Sequence, residues 1–334
     1  MTAMMRAPAL REAWRFTAMA VAASAVIAAA SAQPQQTYPD RPIRVVVPLG
    51  TGGATDMTAR LFGQKLADAV GQQVVIDNRP GAGGIIGADL AAKASPDGYT
   101  LLIGSTSHAI LPGLHKKLPY DLVKDFAPVS LLVAYPLVLT VHPSVPAKSL
   151  KELIALAKAK PGQINYASQG NGSTVHLNAE LLKSMAGINL VHVPYKGTAP
   201  QIIALLAGEA SLGFNTLSGV LSHMKAGRLR ALGTTGEKRI PSLPDLPTIV
   251  EAGVPGFETG VWAGVLAPAG TPRSIITKLH GEFTRILQFP ETKERLAAID
   301  FEPVGNTPEA FGAFIKEEVM KWAKVVKDSG ATVD

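Results

Sequence analysis

Four short turns in this chain join a predicted strand to a predicted helix and carry glycines or hydroxyl side chains. They lie at residues 50–56, 104–108, 168–174 and 195–198. Glycine leaves no side chain between the backbone and a neighbouring group, and the first N–H groups of a helix have no partner within it. Such N–H groups, together with hydroxyls, are donors for carboxylate or phosphate oxygens. One such turn is typical of an ordinary capped helix, whereas four in one chain favour an anion-binding site.

The predicted ligand-binding residues come from these turns and from one amide that follows a later strand. They are Gly50, Thr51, Gly52, Gly53, Asp56, Ser105, Thr106, Ser107, Ser168, Gly170, Gly172, Ser173, Thr174, His176, Tyr195, Lys196, Gly197 and Asn215. Two of them have a second interpretation. Lys196 is either a countercharge or simply solvated, and Asp56 either caps its helix or holds a ligand ammonium or an ordered water.

Other site chemistry finds little support in the motifs. The glycine-rich turn that begins at Gly81 fails the dinucleotide fingerprint, because the sixth place is Ile86, and no Gly-Lys-Ser/Thr follows it. The pair His176 and Glu180, four residues apart, is more typical of a surface contact than of a metal site. We therefore predict no catalytic residue, no metal site and no cofactor.

Apolar periodicity places each turn between a strand and a helix. The predicted strands include residues 43–47, 73–76, 99–103, 164–167, 190–194, 211–214 and 229–233, and the predicted helices include residues 56–70, 85–94 and 200–207. Strands that alternate with helices predict an α/β fold with mostly parallel sheets flanked by helices. Ligands bind at the carboxyl ends of strands in such sheets, so the turns of two facing domains would converge on one cleft.

The length of 334 residues favours two domains. A long apolar stretch broken by Pro136 is predicted to leave the first domain, and a strand at 262–266 to return to it. The predicted organisation is a signal peptide at 1–32, domain 1 at 38–136 plus 262–334, and domain 2 at 137–261. Two crossover segments imply a hinge. The last helix, apolar on the face that carries Phe311 and Trp322, must pack on a domain, most simply the first.

Composition excludes several classes of protein. The contents of 17% charged and 47% hydrophobic residues indicate a globular chain. The net charge of +6 favours anionic partners, but no run of Lys and Arg indicates nucleic-acid binding. The sequence has no cysteine, so disulfides, a thiolate nucleophile and a lipid-modified cysteine are excluded.

The N-terminus is typical of a secretory signal peptide. Three arginines precede an apolar run at residues 16–30, which leads into the small-x-small sequence Ala-Ser-Ala before Gln33. The run is short for a membrane span and has no basic flank behind it. We therefore expect cleavage after Ala32 and an exported, soluble protein.

Several motifs, in their order and spacing, are specific to one family. They are Tyr-Pro-Asp-Arg-Pro-Ile at 38–43, the stretch 48–56 with its Gly-Gly-x-x-Asp, Asp-Asn-Arg-Pro-Gly-Ala-Gly-Gly at 77–84, Pro-Asp-Gly-Tyr-Thr-Leu-Leu at 96–102, Val-Pro-Tyr-Lys-Gly at 193–197, Leu-Pro-Asp-Leu-Pro-Thr at 243–248 and the stretch 262–272. Over essentially the whole mature length, the chain resembles the Bug family of periplasmic solute receptors, which serve tripartite tricarboxylate transporters.

The resemblance implies a two-domain flytrap fold that closes on a small carboxylated solute. Backbone amides and ordered waters in the turns of both domains would hold a carboxylate, and the membrane components of a tripartite tricarboxylate-type transporter would be the partner. We expect a monomer. One departure concerns Asn215, because family members often carry an acidic residue at this place, and the change bears on which ligand is accepted.

These observations together predict a periplasmic protein that captures a small organic carboxylate by hinge closure and delivers it to a transporter. Two alternatives stay open. One is an exported hydrolase that pairs Ser107 or Ser173 with a histidine, although no G-x-S-x-G motif is present. The other is a ligand sensor subunit for a membrane signalling protein.

Overall fold

The structure is a computed structural model, and it describes residues 38–332. The predicted signal peptide at residues 1–32 lies outside the described residues. From Arg41 onward the chain forms one compact unit that contains two β-sheets. Within the described range, every helix is too short or too polar to cross a membrane.

The strands and helices alternate along most of the chain. The strands are β1 (Ile43–Val47), β2 (Val74–Asn78), β3 (Thr100–Ser105), β4 (Phe126–Tyr135), β5 (Leu137–Val141), β6 (Asn165–Ser168), β7 (Val191–Pro194), β8 (Leu212–Thr216), β9 (Arg230–Thr234), β10 (Val261–Pro268) and β11 (Glu302–Pro303). The helices are α1 (Ala54–Val70), α2 (Ile85–Ala92), α3 (Thr106–Leu114), α4 (Leu150–Ala159), α5 (Thr174–Ala186), α6 (Thr198–Ala207), α7 (Leu217–Lys225), α8 (Arg273–Gln288), α9 (Pro290–Ala297) and α10 (Pro308–Ser329).

The strands form two mixed sheets. The first has the order β11-β4-β10-β3-β1-β2, and the second has the order β7-β6-β8-β5-β9. Strand β1 is parallel to β2 and β3, whereas β10 is antiparallel to β3 and β4. Strand β6 is parallel to β7 and β8, whereas β5 is antiparallel to β8 and β9. The predicted α/β class is therefore confirmed, but the sheets are mixed rather than mostly parallel.

The chain crosses between the two sheets twice, and the strands next to these crossings run antiparallel to their neighbours. Strand β4 ends at Tyr135 in the first sheet, Pro136 follows, and β5 begins at Leu137 in the second sheet. Because proline cannot donate to a ladder, it marks the break between the two strands. The chain returns to the first sheet at Val261. The predicted division into two domains at these crossings stays a prediction.

Predicted elements and observed elements differ mainly at their ends. Helix α1 begins two residues earlier than predicted, and β2 spans Val74–Asn78 instead of residues 73–76. Asn78, the last residue of β2, pairs with Val47 of β1. This pairing extends β2 beyond its apolar part into residues that are polar. Pairing with a neighbouring strand is a tertiary interaction, which propensity does not report.

The C-terminal helix α10 joins the core of the first sheet, as predicted, and also extends beyond it. Phe311 and Trp322 are fully buried in one apolar cluster with Trp262 of β10. The same cluster includes Leu177 of α5, a helix that follows a strand of the second sheet. Helix α10 therefore packs against elements of both sheets.

Candidate functional site

The carboxylate of Asp56, which is 2% exposed, holds the turn at residues 50–56 in place through hydrogen bonds. Its Oδ2 accepts the N–H of Gly52 at 3.0 Å and Nε of Arg60 at 2.9 Å, and its Oδ1 accepts Nδ2 of Asn78 at 2.9 Å. Both oxygens are used inside the protein, so the geometry favours the capping interpretation of Asp56. Burial opposes ionisation, but the hydrogen bonds from Arg60, Gly52 and Asn78 outweigh it and hold the pKa of Asp56 below its usual value.

The residues at the start of this turn are accessible to solvent. Gly50, Thr51 and Gly52 are exposed and Gly53 is half-buried. Gly52 has a φ of 78°, in the region that favours glycine. Strand β1, which leads into the turn, is the neighbour of β3, so this turn and the start of α3 lie at the same edge of the first sheet.

The turn that begins α3 is closed by a histidine. The N–H of Ser105 donates to Nδ1 of His108 at 3.1 Å, and Oγ of Ser105 lies 3.1 Å from the same nitrogen. Because an amide N–H can only donate, Nδ1 carries no proton and the neutral ring has its hydrogen on Nε2. His108 is fully buried, and desolvation lowers its pKa to about 4.

Thr106, the first residue of α3, binds the chain segment that enters β10. Its Oγ1 accepts the N–H of Trp262 at 2.9 Å and lies 3.4 Å from the carbonyl oxygen of Gly260. Thr106 is fully buried. Its hydroxyl therefore anchors the N-terminus of α3 to the second crossing.

The turn that begins α5 is also closed by a histidine. Oγ of Ser173 accepts the N–H of His176 at 3.3 Å and donates to the carbonyl oxygen of Gly170 at 2.7 Å. The N–H of Gly172 donates to Nδ1 of His176 at 3.1 Å. His176 is 5% exposed, and desolvation, followed by the neighbouring His192, lowers its pKa to about 4.

The N-termini of α3 and α5 meet. Oγ of Ser107, at the second position of α3, lies 3.4 Å from Oγ1 of Thr174, the first residue of α5. Asn178 supports this junction, because its Nδ2 donates to the carbonyl oxygen of Thr174 at 2.8 Å while its Oδ1 accepts the hydroxyl of Thr259. The junction thus joins an element that follows a first-sheet strand to one that follows a second-sheet strand.

A second histidine, His192, contacts the turn at residues 168–174. Nε2 of His192 is 2.6 Å from Oγ of Ser168, which also accepts the N–H of Gly170 at 3.1 Å. The ring of His192 stacks on that of His176, with centroids 4.0 Å apart, and on that of Tyr166 at 4.8 Å. Burial lowers the pKa of His192 as well.

A carboxylate completes this stack. Glu180, which is 7% exposed, accepts the hydroxyl of Tyr166 and pairs with Nζ of Lys183 at 2.6 Å. Its Oε1 lies 4.0 Å from Nε2 of His176. The predicted surface contact between His176 and Glu180 is therefore wrong, because sheet packing buries both residues.

The fourth turn lies beside the third. The N–H of Tyr195 donates to the carbonyl oxygen of Ser168 at 3.0 Å, and the N–H of Gly197 donates to the carbonyl oxygen of Tyr195 at 3.0 Å. Lys196 is exposed and Gly197 has a φ of 101°. The structure therefore brings the second, third and fourth predicted turns together, and places the first on the neighbouring strand.

Asn215 lies inside the second sheet. It is 2% exposed, and its amide donates to Oγ1 of Thr140 at 2.8 Å and to the carbonyl oxygen of Gly213 at 3.0 Å. Its Oδ1 accepts Nε2 of Gln201 at 3.2 Å. These bonds tie β8 to β5 and α6 beneath the turns.

Sequence reasoning missed the residues that hold the turns in place, namely His108, His192, Asn178, Thr259 and Asn78. One signal was available: Ser-Thr-Ser-His at 105–108 and Ser-Thr-Val-His at 173–176 repeat one pattern at two predicted helix starts. The other residues come from distant parts of the chain, so no local pattern announces them.

We searched the described residues for metal-binding clusters and for cavities near the predicted binding residues. Residues 38–332 contain no cluster of three or more His, Asp or Glu side chains arranged to hold a metal ion. Two surface cavities, of about 460 and 790 Å³, are lined by the segments around Leu122 and by α10. None of the predicted binding residues lines either cavity.

Two sheets joined by crossing strands, with helices that follow strands of both sheets meeting at their N-termini, form the fold of a solute-binding protein. The chain belongs to the tripartite tricarboxylate transporter receptor family, TctC, whose sequence model matches residues 58–331. This membership confirms the resemblance drawn from the motifs.

Solved structures of relatives agree with this assignment. The chain is similar to the R. palustris protein Rpa4515 with adipate, at 39% identity and a TM-score of 0.82, covering 88% of this chain and 99% of that one. The periplasmic binding protein BugD matches at 36% identity, a TM-score of 0.79 and coverages of 88% and 99%. MatC (Rpa3494) from Rhodopseudomonas palustris with bound malate matches at 34% identity, a TM-score of 0.78 and coverages of 86% and 100%.

Proposed function

We propose that this protein captures a small organic carboxylate at the junction of the α3 and α5 N-termini and delivers it to a membrane transporter of the tripartite tricarboxylate type. The contact between Ser107 and Thr174 is the observation that carries the proposal. Two helix N-termini aimed at one place concentrate N–H donors and positive dipole ends there, and both favour an anion. The adipate and malate bound by relatives are dicarboxylates, which fits this chemistry.

The predicted binding residues divide into two roles under this proposal. The backbone N–H groups of Gly50, Thr51, Gly53, Ser107, Thr174 and Lys196 are the donors proposed for the ligand. Those of Gly52, Gly170, Gly172, Ser173 and Gly197 bond within the turns and shape them. The side chains of Asp56, Ser105, Thr106, Ser168, Ser173, His176 and Asn215 bond within the protein and shape the turns, and Tyr195 packs against the apolar cluster of α6. Closure of two domains about the crossings at Pro136 and Val261 is the signal that the transporter reads.

The exported hydrolase is the weaker interpretation. Ser107 contacts a threonine, and Ser173 donates to a backbone carbonyl, so neither has the histidine partner that a nucleophile needs. Ser168 does contact His192, but it is fully buried and its oxygen also accepts a backbone N–H. We therefore propose a receptor without catalysis, acting in the periplasm as a monomer after loss of the signal peptide.

Calorimetric titration with a panel that includes adipate, malate and a neutral sugar tests the proposal. We expect a carboxylate to bind and the sugar not to bind. Ser107→Asp places a negative charge at the junction. It should weaken carboxylate binding at least about tenfold, because the aspartate and the bound carboxylate repel each other. Ser107→Asn is the neutral control. A panel in which only the sugar binds, or a Ser107→Asp variant that binds as tightly as Ser107→Asn, would contradict the proposal.

A further inference from the structure

The two helices that meet at Ser107 and Thr174 share an uncommon way of closing their N-termini. In each, a serine precedes the first helical residue, and a histidine stands at the third helical position, with Nδ1 accepting a backbone N–H at 3.1 Å. The accepted N–H belongs to Ser105 in α3 and to Gly172 in α5. In α3 this is a capping box, in which the third helical residue is ordinarily glutamate or glutamine. In α5 the accepted N–H lies one residue before the N-cap Ser173, so the cap is a variant of the same arrangement.

Another helix of the same chain has the ordinary version of this cap. Helix α4 begins with Ser149, whose Oγ accepts the N–H of Glu152 at 3.2 Å. Oε2 of Glu152 in turn accepts the N–H of Lys148 at 2.7 Å. These two bonds match those of Ser173 and His176 in α5, with glutamate in place of the histidine.

The two kinds of cap lie at opposite edges of the second sheet. Helix α5 follows the carboxyl end of β6, and α4 follows the carboxyl end of β5. Strand β6 is parallel to β8 and β5 is antiparallel to β8, so β5 and β6 end at opposite edges of the sheet. The glutamate cap is therefore at the edge away from the junction, and the two helices that meet at the junction have histidine caps. Asp56, third in α1, accepts the N–H of Gly52 in the neighbouring turn, but its charge is paired with Arg60. A carboxylate in the first turn normally stabilises a helix through the dipole, so helix stability alone would favour glutamate at all these positions.

Both histidines are neutral acceptors. An amide N–H points at each Nδ1, and neither ring is open to solvent, since His108 is fully buried and His176 is 5% exposed. A neutral ring satisfies the turn's N–H and leaves the dipole end uncompensated, so its positive field stays available to an anion at the junction. A glutamate would satisfy the same N–H but place a negative charge within the first turn.

We propose that His108 and His176 are positioning residues of the carboxylate site, which shape the two opposing helix N-termini with an uncharged acceptor where glutamate would repel the ligand. The inference rests on the proposed function. It assigns the histidines no contact with the ligand. They act through the turns that they close.

Three variants at His176 test the proposal, with the tightest-binding carboxylate among adipate and malate as the probe. His176→Gln keeps an uncharged acceptor and should bind within about threefold of the wild type. His176→Glu keeps the acceptor and adds a charge, and should bind at least about tenfold more weakly. His176→Leu removes the acceptor and should also lose about tenfold, since Gly172 is no longer held. Melting temperatures establish that each variant is folded.

The control is Glu152→Gln, which changes the charge of the matching cap at the opposite edge and should leave carboxylate affinity unchanged. Equal affinities of the Glu and Gln variants at position 176 would overturn the role of charge, and equal affinities of the Leu and Gln variants would overturn the positioning role. His176→Glu faces Glu180 and risks unfolding. In that case the Leu and Gln comparison decides, because rescue by Gln requires an acceptor. A wild type that binds no carboxylate of the panel refutes the proposed function itself, whereas a binding wild type with indistinguishable variants refutes only this inference.

Discussion

Thr259 donates its hydroxyl to Oδ1 of Asn178, and this buried bond ties helix α5 to the segment that crosses back into the first sheet. The amide of Asn178 meanwhile donates to the carbonyl oxygen of Thr174 at 2.8 Å. One side chain thus connects the crossing to the helix N-terminus at the proposed site.

Asn178→Ala is expected to destabilise the protein by about 1–3 kcal/mol, because the Thr259 hydroxyl is then buried without its acceptor. Urea denaturation followed by circular dichroism measures the change. Asn189→Ala is the control, since Asn189 is exposed and substitution there should change the free energy of unfolding by less than about 0.5 kcal/mol. Equal effects of the two substitutions would show that the bond contributes nothing.

Glu318 of α10 is the buried acceptor of two indoles. Its Oε2 accepts Nε1 of Trp262 and Nε1 of Trp322, each at 3.0 Å, and Glu318 is 4% exposed. Glu318→Leu should cost about 3–5 kcal/mol of stability, because both N–H groups lose their partner in the core and Lys321 loses its counterion. Glu318→Gln retains an oxygen acceptor and should cost clearly less.

The measurement is again the free energy of unfolding, with tryptophan fluorescence as a second probe of the Trp262 and Trp322 environment. Glu309→Gln provides the control, because the pair of Glu309 with Arg273 is exposed at the surface. If Glu318→Leu were no more destabilising than this control, the indole bonds would not support the core.

Acid is expected to destabilise the folded state through His108 and His176. Burial lowers the pKa of each from 6.5 to about 4, so between these values the unfolded chain binds protons that the folded chain does not. This contribution to stability is complete above pH 6.5 and is lost as the pH falls toward 4. By pH 5 each histidine should have cost about 2 kcal/mol.

The groups that act on His176 come from each element around it: His192 of β7 and Lys183 of α5 lower its pKa, and Glu180 of α5 raises it. Strand β8 carries no titratable side chain. Urea denaturation at pH 7 and pH 5 should show a smaller loss in His176→Gln than in the wild type, while His142→Gln, at a partly exposed loop, should behave as the wild type does. A pH dependence unaltered by His176→Gln would contradict this account.

Most of the fold followed from local patterns, whereas the location of the site stays a prediction. The break at Pro136 separated two strands because proline cannot join a ladder, and the glycine and hydroxyl turns marked strand-to-helix junctions because those residues satisfy helix starts. The mixed sheets did not follow, because the antiparallel partners of β10 lie more than a hundred residues away in sequence. The placement of His176 at the surface failed for the same reason: helical spacing gives neighbours along α5 but not the sheet that covers them.

The sequence by itself determined the class of protein and predicted the donor chemistry, because motifs, glycines and hydroxyls act over a few residues. Only the tertiary structure decided which turns meet and which side chains are already committed. The contact of Ser107 with Thr174, the bonds of Asp56 and Asn215, and the neutral caps at His108 and His176 all depend on packing. A side chain's hydrogen bonds and charge state depend on everything that surrounds it, and what surrounds these residues is brought together by folding.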